Sequence, residues 1–229
     1  MSDLEQDSWL SGQLGRPAFA CQPPFTESLS ARLAVLPANA FVFTRVPTQE
    51  TAGVLLLQRS GFRLVDTTLT FSGIFPDPHC SNRIRNAEPR DAQESAEIAR
   101  DSYRYSRFHL DPMIPVPVAR DLKASWIGNF FKGIRGDRML VAEGPSGELA
   151  GFVLALTKDD CVVIDLIAVS PRFQRQGIAA DLVQGLASCY PPQTLVAAGT
   201  QAANIGSVRF YESQGLRLAS SAYVFHYHA

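Results

Sequence analysis

Apolar positions along this chain follow two rhythms. Unbroken apolar runs of strand length alternate with stretches in which apolar residues return every three or four positions. Cys161 to Val169 is the clearest run, interrupted only by Asp165. Its β-branched content and the following Ser170-Pro171 predict a strand buried on both faces. Beyond it, Ile178, Ala179, Leu182, Val183, Leu186 and Ala187 form one apolar helical stripe. Thr194 to Thr200 reads as a second strand, followed by a helix carrying Phe210 and Tyr211 that ends at Gly215. Upstream, Arg83 to Ala87 reads as a strand. Asp91 with Glu94 caps a helix bearing Ala92, Ala96, Ala99 and Tyr103. After a loop broken by Pro112, Pro115 and Pro117, a second helix carries Ala119, Leu122, Trp126 and Phe130. Met139 to Glu143 and Leu149 to Thr157 form a hairpin across Gly144-Pro145-Ser146-Gly147. The order β-α-α-β-β-β-α-β-α-β predicts an α/β chain of the mixed-sheet, α+β kind, with helices on both faces.

A turn-rich link at 75–82, with Pro76, Pro78, Ser81 and Asn82, divides residues 1–75 from 82–229. The first segment echoes the last. Gly61 to Phe71 aligned with Gly215 to Phe225 matches Gly, Arg, Leu and Phe at one offset. The same offset lays Phe41–Val46 over Thr194–Thr200 and the 48–60 helix over the one bearing Tyr211. Residues 1–75 therefore read as a partial, degenerate copy of the C-terminal half, with Glu50 and Leu57 where that half has Asn204 and Tyr211. Chance similarity of two strand-forming tails is the alternative, which unrelated topologies for 40–71 and 194–225 would favour.

Composition excludes several classes. Lys and Arg number 21 against 22 Asp and Glu, so there is no basic field for nucleic acid. No apolar run approaches the roughly 18–20 residues of a membrane span. The acidic N-terminus lacks the apolar core of a signal peptide. Cys21, Cys80, Cys161 and Cys189 have no Cys-x-x-Cys spacing and read as reduced thiols of a cytoplasmic protein. His79 and His109 stand alone, and His226 and His228 alternate on a last strand. None has carboxylate or cysteine company at metal spacing, so no metal is expected.

The chemistry concentrates after the 161–169 strand. Gln174-Arg175-Gln176-Gly177 delivers the chain to a helix start, where unpaired N–H groups and the dipole favour an anion. A plain strand–turn–helix link with a surface arginine is the alternative. Gln174-Arg175-Gln176-Gly177-Ile178-Ala179 fits Gln/Arg-x-x-Gly-x-Gly/Ala. Asn204, Tyr211 and Gly215 fit an Asn, a Tyr seven residues on and a Gly four later. Together these motifs resemble the GNAT acetyltransferase superfamily from about Arg83 to the C-terminus. A further resemblance is to the bacterial acetyltransferases that act on dTDP-fucosamine, a 4-amino-4,6-dideoxy sugar carried on a nucleotide. It rests on Ser60-Gly61-Phe62-x-Leu64-Val65, Ser106-Arg107-Phe108, Ser125-Trp126-Ile127-x-Asn129 and Thr200-Gln201-x-x-Asn204.

The resemblance implies acetyl-coenzyme A as donor and a small amine as acceptor, here the amino group of a nucleotide-linked sugar. It implies two parallel strands that splay apart, with pantetheine pairing to backbone of Ile167, Ala168 and Val169. Its pyrophosphate would lie on residues 174–179 and its amides on Asn204, which equally suits a helix N-cap. Tyr211 would protonate the leaving thiolate, or serve as core beside Phe210. Asp165 would act as base through a water, or pair with an arginine as a structural charge. Arg107 and Phe108 would hold the diphosphate and stack on a ring. Trp126 and Asn129, one turn apart, would face the same pocket, or Trp126 would belong to the apolar stripe. Sugar-modifying relatives suggest a homodimer. The alternatives are a GNAT enzyme for another amine (a protein N-terminus, polyamine, amino acid or antibiotic) and a non-catalytic acyl-CoA-binding module.

Overall fold

The structure is a computed structural model that describes residues 4–79 and 81–229. Cys80, one of the four thiols named above, lies outside the described residues. Chain order is β1 (Leu4–Gln6), α1 (Ser8–Leu14), β2 (Ala18–Cys21), α2 (Leu29–Leu33), β3 (Phe41–Pro47), α3 (Thr51–Arg59), β4 (Arg63–Ile74) and β5 (Ile84–Asn86). There follow α4 (Ala92–Ser102), α5 (Arg107–Leu110), α6 (Val116–Phe131), β6 (Arg138–Glu143), β7 (Leu149–Lys158) and β8 (Cys161–Val169). Last come α7 (Ile178–Ala187), β9 (Leu195–Gln201), α8 (Ile205–Ser213) and β10 (Arg217–His228). The α/β mixed sheet expected from the pattern is present. Asp91, expected to cap α4 by its side chain, instead closes a capping box with Glu88 and holds Arg85 at 2.7 Å.

All ten strands join one sheet in the order β1-β2-β3-β10-β4-β9-β8-β7-β6-β5. Alternate residues of β7 feed opposite cores. Val153 and Ala155 pack under α7 with Leu182, Val183 and Leu186. Phe152 and Leu154 pack under α4 and α6 with Ile98, Ala99 and Ile127. The period-two reversal of a strand thus builds two layers from one apolar run.

The N-terminal segment repeats the C-terminal unit element by element. β3, α3 and β4 have the same lengths and spacing as β9, α8 and β10. Gly61 and Gly215 both take a left-handed φ, +89° and +80°, after the helix, where a side chain would be strained. Thr68 on β4 lies opposite its counterpart Ala222 on β10, and register slips occur near both Val65 and Ala219. The units exchange second strands: β10 pairs with β3, and β4 with β9. The likeness continues outward, since β2–β3 and β8–β9 are both parallel, and β1 and β7 run antiparallel to β2 and β8. The 75–82 link therefore separates the halves in sequence and not in space. In the N-terminal unit β2 and β3 pair over three residues only, and Phe25 packs beyond them against Val46 and Gly53.

A buried polar clasp ties the helical layer to the last strand. Asp111, after α5, accepts from His226 Nδ1 at 2.6 Å, His228 Nε2 at 2.8 Å and the Met113 amide at 2.9 Å. Burial raises the Asp111 pKa, but these bonds outweigh it and hold the carboxylate below its usual range. Burial lowers His226 to about 4 against Asp111, which raises it, and lowers His109 to about 4. Both imidazoles are thus neutral when folded, while an unfolded chain protonates them near 6.5. Their contribution is complete above that pH and is lost as pH falls toward 4. Chemical denaturation between pH 7.5 and 4.5 should show stability falling below about pH 6.5, His226 alone contributing roughly 1.4 kcal/mol per pH unit. His226→Phe should flatten that slope.

Candidate active site

The two parallel strands of the C-terminal half pair only from Cys161 opposite Leu195 to Ile164 opposite Ala198. Beyond that point β8 runs on to Val169 and β9 to Gln201 without each other. The parting begins where β8 changes register against β7, between Leu154 opposite Leu166 and Ala155 opposite Ile164. Asp165 is the extra residue of that bulge, which bends the strand and re-aims residues 166–169. Carbonyls on the parted stretch already have side-chain donors. Tyr103 donates its hydroxyl to Ile167 at 3.0 Å, and Ser102 and Gln174 donate to Val169 at 3.3 and 3.2 Å. The two lone pairs of the Val169 oxygen are thereby both engaged by side chains, whereas Ile167 has one side-chain donor.

At the mouth of the parting, residues 174–177 are exposed. Arg175 has φ +62° and Gly177 φ +80°, both left-handed. Gly177 is the N-cap of α7 and no side chain caps that helix, so its first-turn N–H groups face outward. A left-handed turn leading into an uncapped helix forms an anion-binding concavity suited to phosphate. On the far side, Asn204 caps α8, accepting from the Ser207 amide at 3.2 Å. Both N–H bonds of its amide nitrogen remain available to donate. Tyr211, 4 % exposed, lies on α8 against Phe71 and Phe210 at 5.9 and 5.3 Å between ring centroids. Burial raises its phenol pKa. The Tyr103 phenol is raised likewise by burial, then by Tyr211 and Asp165.

The opposite wall comes from α4 to α6. Asp165 is held from three sides: Trp126 Nε1 donates at 3.0 Å, and Arg135 Nε and Nη2 each donate at 2.7 Å. Both oxygens are engaged, so of the two sequence readings for Asp165 the geometry here is that of a charge paired with an arginine. Trp126 stands between Lys123 Nζ at 4.5 Å and the Arg135 guanidinium at 5.1 Å, with Trp9 edge-on. Asn129 is buried. Its carbonyl accepts the Ile134 and Arg135 amides, which turns the chain so that Arg135 reaches Asp165. Phe108 is 1 % exposed, a core ring whose face is covered by Arg107, so it offers no surface for the stacking expected of it. Arg107 lies between Phe43 and Phe108 at 4.0 and 4.4 Å. Its Nη1 is buried without a partner. Burial, with Arg45 nearby, lowers its pKa to about 9.

Tyr103, Lys123 and Arg135 were not singled out from the sequence. Lys123 carried a signal, a cation between Leu122 and Ala124 inside an apolar stripe. Asp111 joins His226 and His228 as a group whose ligand atoms lie within 4.8 Å, so the histidines do have the carboxylate company the sequence seemed to lack. Hydrogen-bond arithmetic fits a clasp. Arg16 donates to His228 Nδ1 at 2.9 Å, so Nε2 carries the ring proton and donates to Asp111. That ring has no lone pair left for an ion.

Residues 96–216 match the family model "Acetyltransferase (GNAT) family". The chain is 30% identical over 194 residues to the spore coat polysaccharide biosynthesis protein SpsD of Bacillus subtilis (strain 168). The match covers 81% of this chain and 66% of that protein, just under two thirds of its length. Among solved structures it resembles a functionally unknown conserved protein from Staphylococcus epidermidis (TM-score 0.69, 11% identity, 99% and 92% of the two chains). It also resembles a GCN5-related N-acetyltransferase from Sphaerobacter thermophilus (TM-score 0.59, 17% identity, 93% and 72%). No helix among the described residues is long and apolar enough to cross a membrane. The matched span takes in the parted strands, the uncapped helix and Tyr211, and the chain belongs to the GNAT acetyltransferase family.

Proposed function

We propose that the chain N-acetylates the amino group of a nucleotide-linked amino-deoxy sugar, a precursor of a surface polysaccharide. The observation that carries the acetyl-transfer part is the parting of β8 from β9 beside the uncapped N-terminus of α7. GNAT enzymes use acetyl-CoA, whose thioester supplies the acetyl group. Residues 174–179 would hold its pyrophosphate through backbone N–H groups and Arg175. The backbone of Ile167, Ala168 and Val169 and the Asn204 amide would hold the pantetheine arm as an added strand. A backbone N–H near Ile167 would stabilise the oxyanion. Tyr211, whose burial keeps its proton in place, would give that proton to the departing sulfur.

The sugar part rests on two supports. The spore coat relative acts in polysaccharide biosynthesis by its name. The acceptor wall is rich in cations: Arg45, Arg107 and Arg135 all depress Lys123, and Arg107 keeps a donor without a partner. A diphosphate would neutralise such a field, whereas a bare polyamine would add to it. Asp165 would serve by fixing Trp126 and Arg135 against the acceptor.

Incubation with acetyl-CoA and a panel of nucleotide-linked 4-amino and 3-amino sugars should release thiol with one of them. No release, with acetyl-CoA still raising Tm, would move the activity to another amine. Tyr211→Phe should keep acetyl-CoA affinity within about twofold and lower kcat at least tenfold, roughly 1.4 kcal/mol; calorimetry and initial rates separate the two effects. Gly177→Val, which forces a β-branched residue to φ +80°, should weaken acetyl-CoA binding about tenfold or more by the same calorimetry.

A further inference from the structure

The sequence contains three lysines, Lys123, Lys132 and Lys158. Lys132 and Lys158 are exposed, and Lys123 is 9 % exposed. Its ammonium lies 4.5 Å from the centroid of the Trp126 ring and 4.9 Å from that of Tyr103. Among the described residues no carboxylate forms an ion pair with it within 4.0 Å. Both rings of this box are tethered to β8, Tyr103 by its bond to the Ile167 carbonyl and Trp126 by its bond to Asp165. Lys123 thus packs on two rings bonded to 165 and 167, in the first stretch of β8 that has lost its partner strand.

We propose that Lys123 is the base that takes the proton from the acceptor's ammonium group. The inference rests on the acetyl-transfer reading above, which puts the thioester in the parting of β8 and β9. The neighbours are less suited. Both Asp165 oxygens are engaged by Arg135 and Trp126. The Tyr103 hydroxyl donates to Ile167 and is raised by burial. Asp66 on β4, raised to about 6 by burial against the pull of Arg45 and Arg107, is the competitor the experiment must exclude. The field around Lys123 favours its free-base form. Burial lowers it to about 8; Asp165 pulls it up, and Arg107, Arg45 and Arg135 push it down. His109, which Lys123 helps to depress to about 4, adds no charge at neutral pH. A lysine near 8 is a base matched to an amine substrate, which an ordinary lysine near 10.5 is not.

The protons balance. The Lys123 amine takes one proton from the acceptor ammonium, and later releases it to solvent. The neutral acceptor nitrogen attacks the thioester carbonyl carbon, the C–N bond forms, and the C–S bond breaks as the intermediate collapses. The departing sulfur takes the Tyr211 proton, and the nitrogen returns its second proton to the phenolate. The sum is amide, free thiol and one proton.

Three lysines make the titration readable. With 13Cε-labelled lysine, the NMR shift of one resonance should titrate near pH 8 and disappear in Lys123→Arg. With the sugar that gives thiol release, wild-type kcat/KM should rise with unit slope to a plateau near pH 8. Lys123→Arg keeps the cation but does not deprotonate, and Lys123→Met removes it. Both should lose that limb and fall about 100-fold at pH 8, with acetyl-CoA affinity within about twofold. A Lys123 midpoint above 10, a Lys123→Arg variant within threefold of wild type, or a limb near pH 6 that survives it would overturn the proposal. Failure of the sugar reading is distinguishable, since wild type would then release no thiol with any sugar before a variant is made. The NMR midpoint then decides on Lys123 alone.

Discussion

Two strands that stop pairing half way along can stay apart only if each is held from its outer side. That constraint governs this molecule. β8 is paired along its length by β7, and β9 along its length by β4. The inner edges are then free to diverge after Ile164 and Ala198 without either strand collapsing into a loop. Backbone groups on a parted edge are strong hydrogen-bonding groups that need partners. Tyr103, Ser102 and Gln174 answer three of those bonds, and on the proposed reading a peptide-like arm would answer others. The strand that holds β9 comes from the N-terminal segment, so that segment is a condition of the groove and not an addition to it.

The second organising feature is a field hidden by the bulk composition. With 21 basic and 22 acidic residues the chain is nearly neutral, yet Arg45, Arg107 and Arg135 all depress Lys123, and Arg45 depresses Arg107. Asp165 compensates at one point and is consumed by Arg135 in doing so. Such a wall attracts an anionic group and, by the same sign, lowers the pKa of any ammonium brought beside it. On the proposed reading, recognition of the acceptor and activation of its amine would be two results of one charge arrangement.

Much of this was legible in the sequence, and the remainder was hidden for physical reasons. The 161–169 run, the stripe from Ile178 to Ala187 and the strand before Asn204 announce themselves by period, and the loop at Arg175 and Gly177 by residue type. The echo of 61–71 in 215–225 falls on strand–helix–strand runs of equal length. It did not reach back to β1 and β2, because short strands that pair in three or four places leave too little pattern. The charged contacts were invisible for a different reason. Asp165 with Arg135, Trp126 over Lys123, and Asp111 with two histidines at the other end of the chain are joined by packing, not spacing. Phe108 was misread because a turn-flanked aromatic looks like a surface residue until a sheet closes over it.

The copied halves differ in how their wedges are filled. In the N-terminal unit, Phe25 lies against Val46 and Gly53, counterparts of Thr200 and Ser207 beside the open groove. That wedge is a finished core, with its apolar contact present from the moment the chain folds. In the C-terminal copy β8 and β9 part after Ile164 and Ala198, and a ligand held there would supply contacts of its own. On the reading proposed above, a ligand in the groove would stiffen that part of the sheet and leave the N-terminal wedge as it was: two copies of one frame, one packed by its own side chain and one that would take its rigidity from what it binds.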